Sequence, residues 1–118
     1  MPEGESDTQF FTKSGFGQIR GLEFALNLPH DSSIPTKNWG LEEHQALAAW
    51  ANTSVSAIQH LAEKFQLGAL EQIDGRGPQG HVRILAQRSA NIVVGMLPNL
   101  SREEMDQNTR KVLDRWAS

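Results

Sequence analysis

Cysteine is absent from the 118 residues, which excludes disulfides, thiolate chemistry and cysteine-based zinc sites, and points to a cytoplasmic location. No apolar run approaches the roughly 20 residues that span a bilayer, and the first residues lack the apolar segment of a secretory leader. No membrane association is expected. The four histidines (His30, His44, His60 and His81) are scattered, with no H-E-x-x-H, so no metal and no cofactor is expected. Repeats and low-complexity segments are missing too. What remains, 38% hydrophobic and 21% charged residues, suits one modest domain.

The net charge of −3 argues against indiscriminate nucleic-acid binding, but its distribution is uneven. Residues 1–52 carry three basic and seven acidic side chains, a balance of −4. Residues 53–90 carry four and three, a balance of +1, and residues 91–118 carry four of each. The middle third is the region most permissive for a phosphate partner.

Residues 1–9 are polar and acidic without periodicity and read as a disordered tail. Between Phe10 and Leu28 two patterns compete. Leu22, Phe24, Leu26 and Leu28 alternate as in a strand, while Ile19, Leu22 and Leu26 share a helical face. Residues 41–51 have helical spacing, with Glu42 and Glu43 suited to a first turn. Asn52-Thr53-Ser54 reads as an interruption, after which Ser54 caps a second helix to about Phe65 with Ala57, Ile58, Leu61, Ala62 and Phe65 inward. Residues 69–74 and 81–86 read as paired strands. Ile92–Leu97 is a short apolar run of undecided structure. Ser101-Arg102-Glu103-Glu104 is a capping box, with Leu100 and Met105 placed as its hydrophobic staple, and it opens a helix to about Trp116.

Gly75-Arg76-Gly77-Pro78-Gln79-Gly80 is a full G-x-G-x-x-G. A dinucleotide site needs its third glycine to open a helix, and His81-Val82-Arg83-Ile84-Leu85 is strand-like instead. A kinase phosphate loop needs H-R-D and D-F-G motifs downstream, and neither is present. A β-hairpin remains.

Residues 47–61, LAAWANTSVSAIQHL, resemble a helix-turn-helix. Ala48 stands where the helices cross, Asn52 at the turn, and Ile58 and Leu61 at the following apolar positions. With the hairpin behind it, residues 41–86 resemble the winged helix-turn-helix DNA-binding family. That resemblance implies an α+β fold: a single winged-helix domain over residues 10–90, with a three-helix core, a hairpin wing and a C-terminal helical extension over 91–118. It favours a first helix within residues 18–28 and a short strand near Ile34. It further implies double-stranded DNA as partner, with a recognition helix in the major groove and the wing in the minor groove. Ser54, Val55, Ser56, Gln59 and His60 would then meet base edges and Lys64 a phosphate. Arg76 at a projecting tip would enter the minor groove, and Arg83 would touch the backbone. A small transcriptional regulator, or a replication or partition protein, is the expectation.

Catalysis is not expected. Ser54 or Ser56 beside His60 on one helix lacks a third orienting group, and the paired glutamates are helix first-turn residues. The last helix, with Leu113 and Trp116, must bury its stripe either on the same domain or on a second copy, and the winged-helix resemblance implies a homodimer through such an added helix. The competing expectation is a protein–protein assembly module, supported by the acidic total and by a recognition helix without arginine.

Overall fold

The alternation from Leu22 to Leu28 resolves as a strand. In the computed structural model, which describes residues 16–117, a 3₁₀ turn at Phe16–Gln18 leads into β1 (Leu22–Pro29) and β2 (Lys37–Trp39). Helix α1 (Gln45–Lys64) follows, then β3 (Gln72–Gly77), β4 (Gly80–Ala86), β5 (Ala90–Met96) and helix α2 (Arg102–Ala117). The strands form one antiparallel sheet in the order β2-β1-β5-β4-β3. Between β2 on one edge and β3 on the other, α1 crosses a face of the sheet; α2 and the 3₁₀ turn cover the opposite face.

Strand alternation divides the core in two. Leu26, Leu28, Ile84 and Val93 point at α1, where Ala51 is fully buried. Leu22, Ala25, Ile92, Val94 and Met96 point the other way, against Phe16, Met105 and Val112. A register shift between Leu22 and Phe24 lets both side chains find apolar partners on opposite faces. The Phe24 ring lies against its cross-strand neighbour Gly95, where any Cβ would clash with the ring carbons.

The winged-helix expectation is overturned. There is no three-helix core among the described residues, and no helix within 18–28: that segment is β1, because alternate side chains serve two different cores. Ile34 lies exposed outside the short strand, which is Lys37–Trp39. Asn52-Thr53-Ser54 does not interrupt a helix. α1 runs through it without a break, and Asn52 Oδ1 accepts a hydrogen bond from Nδ2 of Asn91 on β5 (2.9 Å). Helix-propensity losses of under about 0.7 kcal/mol per residue are easily offset by packing of Ala48, Ala51, Val55 and Ala62 on the sheet.

The hairpin is present but does not project. Gly75 and Gly77 lie within β3, only Pro78 and Gln79 form the turn, and β4 continues into the sheet. Residues 90–96 are no extension either: β5 sits between β1 and β4, buried along its whole length. The capping box is as expected. Ser101 N donates to Glu104 Oε1 (3.0 Å), Glu104 N donates to Ser101 Oγ (3.1 Å), and Leu100 and Met105 are both buried. Those hydrogen bonds, the backbone one first, hold the Glu104 carboxyl below its ordinary value. The expected tail, residues 1–9, lies outside the described residues.

Candidate interaction face

Successive residues of a helix are rotated by about 100°, and on that spacing α1 carries two apolar stripes rather than one. The inner stripe, Ala48, Ala51, Val55 and Ala62, packs on the sheet. A second stripe, roughly a third of a turn round by the same rotation, comprises Ala46, Trp50, Ala57 and Leu61, all exposed. Trp50 is 50% and Leu61 49% exposed. The remaining third is polar, with Gln45, Asn52, Ser56, His60 and Glu63.

The stripe continues past the helix end. Leu67 N donates to Ala62 O (2.9 Å) and Gln66 N to Glu63 O (3.1 Å), which is a Schellman motif. Its left-handed position, usually glycine, is held here by Gln66 at φ 58°. The result is that Phe65 and Leu67 stand outward, 70% and 74% exposed. Isolated exposed apolar residues are ordinary, but four large ones along one helix flank and its cap form a patch of the kind that marks an interaction surface.

Beside this flank, β3 is an edge of the sheet among the described residues, and α1 lies closest to β4 and β5, in the same half of the sheet. On the opposite face Asp74 of β3 is tied to β4 and α2. Arg83 Nε donates to Asp74 Oδ1 (2.8 Å), and Arg83 Nη1 donates to Asp106 Oδ1 (2.8 Å) and Thr109 Oγ1 (3.1 Å). Burial pushes the Asp74 carboxyl up, but the hydrogen bonds from Arg83 and Gln72 and the guanidinium charge outweigh it and leave the group below its ordinary value. The Arg83 guanidinium is moved the opposite way, up, by its two carboxylates against the effect of burial.

The residues expected to read DNA are dispersed. Ser54 and Val55 are half-buried towards the sheet, and Gln59 Oε1 accepts from the backbone N–H of Leu70 (3.3 Å). Ser56, His60 and Lys64 are exposed. Arg76 is not at a loop tip but in β3, opposite His81, and it too is exposed. Arg83 is 3% exposed and occupied by carboxylates, so it does not reach out to a phosphate. On α2, Trp116 is half-buried, its ring 5.2 Å from that of Phe16 in the chain's own core. The exposed apolar surface therefore lies on α1, not on the final helix. Among the described residues no group of His, Asp or Glu is disposed to hold a metal, and no helix is long and apolar enough to cross a membrane.

A five-stranded antiparallel sheet with this element order and a helix on each face is the architecture of Roadblock/LC7 domains. Two solved structures carry the likeness. Myxococcus xanthus MglB superposes with a TM-score of 0.68 at 11% identity, over 98% of this chain and 88% of that one. A Roadblock/LC7 domain from Streptomyces avermitilis gives 0.64 at 19% identity, over 89% and 94%. No family profile and no curated protein matches the sequence. The likeness overturns the winged helix-turn-helix resemblance, and with it the expected partner, double-stranded DNA, and the role in transcription regulation.

Proposed function

We propose that the chain is a non-catalytic, cytoplasmic protein-interaction domain that works as a homodimer, with the outer flank of α1 as the primary contact. The observation that carries this reading is the second apolar stripe of a helix already packed by its first. The fold likeness supports assembly between proteins over DNA binding.

A second copy is the favoured occupant because the stripe is self-complementary. About a two-fold axis between Val55 and Ser56, antiparallel helices set Trp50 against Leu61 and Ala46 against Phe65. Large side chains then meet smaller ones at each level, and Ala57 near the axis permits close approach. The same axis brings the β3 edges towards each other, so the contact is continuous from helix to sheet.

The test is the molar mass of two charge variants by light scattering at tens of micromolar. Leu61→Glu, in the proposed seam, gives a folded monomer from a wild-type dimer, because a charge is forced into an apolar contact. Lys111→Glu, on the exposed face of α2, leaves the dimer intact. A Leu61→Glu protein as dimeric as wild type sinks the reading.

A further inference from the structure

A cleft of about 300 Å³ opens on the α2 side of the sheet, on the face opposite the α1 flank. β1 contributes Asn27, β5 contributes Ala90 and Ile92, and the last turns of α2 contribute Leu113 and Trp116. Gln87 and Ser89, in the loop between β4 and β5, complete it. Small-molecule sites begin at about this volume and combine an apolar lining with a few convergent polar groups. Both features are present here, and none of the described lining residues is charged.

Hydrogen bonding around the cleft is complete for the backbone and incomplete for the side chains. Gln87 N donates to Ala90 O (3.0 Å), His30 N donates to Ser89 O (2.9 Å), and Gln87 O accepts from His30 Nε2 (3.0 Å). The side chains of Gln87 and Ser89 are exposed and bond to none of the described residues. Asn27 Oδ1 and Trp116 Nε1 are shielded from bulk water, and neither has a hydrogen-bond partner among the described residues. Buried polar atoms of native proteins are nearly always paired. An orphan acceptor and an orphan donor beside one cleft therefore point to a partner from outside the chain.

We infer that the cleft binds a small uncharged nitrogen heterocycle through a cis-amide edge, with Asn27 as the main contact and Trp116 and Gln87 in support. A side-chain amide meets a cis amide in two parallel hydrogen bonds: its NH₂ donates to the carbonyl, and its carbonyl accepts from the ring N–H. The indole N–H of Trp116 only donates, so it suits a second ring carbonyl. Oxopyrimidines carry this edge, an N–H between two carbonyls, in a single ring. Both orphan atoms are covered in the free chain, so the ring enters by parting Asn27 from Trp116. The Asn27 amide then turns about its last torsion, which is soft. Ala90, Ile92 and Leu113 supply apolar contact for the ring. A carboxylate or ammonium ligand is excluded, because it would lose its hydration without meeting a counter-charge. The site lies away from the α1 flank and binds alike in monomer and dimer.

Uracil is the probe, followed by proton–nitrogen NMR of the full chain, whose three tryptophans give three indole signals. Trp116→Phe identifies the Trp116 signal by removing it. Uracil should move that signal downfield and saturate at about millimolar concentration, the strength expected of so small a ligand. The Trp50 signal should stay still. Uracil methylated on both ring nitrogens keeps the ring but loses the N–H, and should bind at least about tenfold more weakly. Orotate, which adds a carboxylate, should be weakened to a similar degree. Asn27→Leu should weaken uracil about tenfold, and the exposed Gln87→Ala about threefold. Equal affinity for uracil and its dimethyl derivative overturns the amide edge. A folded Asn27→Leu or Gln87→Ala protein that binds uracil as wild type does overturns the assigned contacts. No saturable shift up to the solubility limit of uracil, or a response at Trp50 in place of Trp116, overturns the site itself.

Discussion

The two helices flank the same sheet and treat water in opposite ways. α2 buries Met105, Asn108, Thr109 and Val112 and shows solvent a row of charge: Arg102, Glu103, Glu104, Asp106, Arg110, Lys111, Asp114 and Arg115. α1 buries an equally regular stripe, yet its exposed surface includes Trp50 and Leu61, and only Glu63 and Lys64 are charged. One helix is finished as a surface element. The other leaves an apolar flank exposed, and that difference is the basis of the proposed contact.

Truncation sharpens the contrast most. Met105→Ala should cost about 2–5 kcal/mol of stability, independent of protein concentration, because Met105 is 2% exposed in a packed core. Leu61→Ala removes a side chain of similar size but should leave monomer stability within about 0.5 kcal/mol and weaken the dimer instead. Chemical denaturation at two protein concentrations separates these outcomes. Equal, concentration-independent losses would erase the distinction between the helices.

Next in size is Gly95→Ala, on the α1 side of the sheet, where a methyl group would displace the Phe24 ring. The overpacking should cost about 1–3 kcal/mol, read as a lower thermal midpoint. Gln66→Gly works in the other direction. Relief of the positive φ at the α1 cap should raise stability by up to about 1 kcal/mol. An unchanged or lower stability would mean that the Gln66 side chain holds the cap in some further way.

The smallest effect is on the α2 side. The folded-state value of Asp74 lies below the ordinary 3.8, so its contribution is complete above that range. It is lost as pH falls through 3.8 and then through the lower folded value. Asp74→Asn should therefore lower stability modestly at pH 6 and above, where the contribution is complete, and flatten the acid limb, so that variant and wild type converge as pH falls below about 4.

Much of this was legible from residue order, in uneven parts. The capping box and staple of α2 are local patterns, and they predicted its start correctly. The hairpin was also legible, because two strands joined by a two-residue turn need no distant information. α1 was not, for a physical reason: Ala57, Ile58, Leu61, Ala62 and Phe65 look like one apolar face but belong to two. Ala62 is buried and Ile58 half-buried, whereas Ala57, Leu61 and Phe65 are exposed. Only the position of the sheet separates them. β5 was opaque because both its faces are covered, so it shows a continuous apolar run with no alternation to read. Arg76 was singled out from its glycine neighbours, but those glycines belong to an edge strand and not to a projecting loop.

The central claim is that the α1 flank, and not the surface of α2, is covered in the working protein. Thiol labelling tests it directly in a chain with no other cysteine. Ala57→Cys sits in the exposed stripe of α1 and Lys111→Cys on the exposed face of α2. Both should react quickly and equally with a maleimide when the protein is dilute. As concentration rises to tens of micromolar, labelling at position 57 should slow by at least about tenfold, roughly as the free-monomer fraction falls, while labelling at position 111 stays constant. Equal rates at both positions over the whole concentration range would contradict the account.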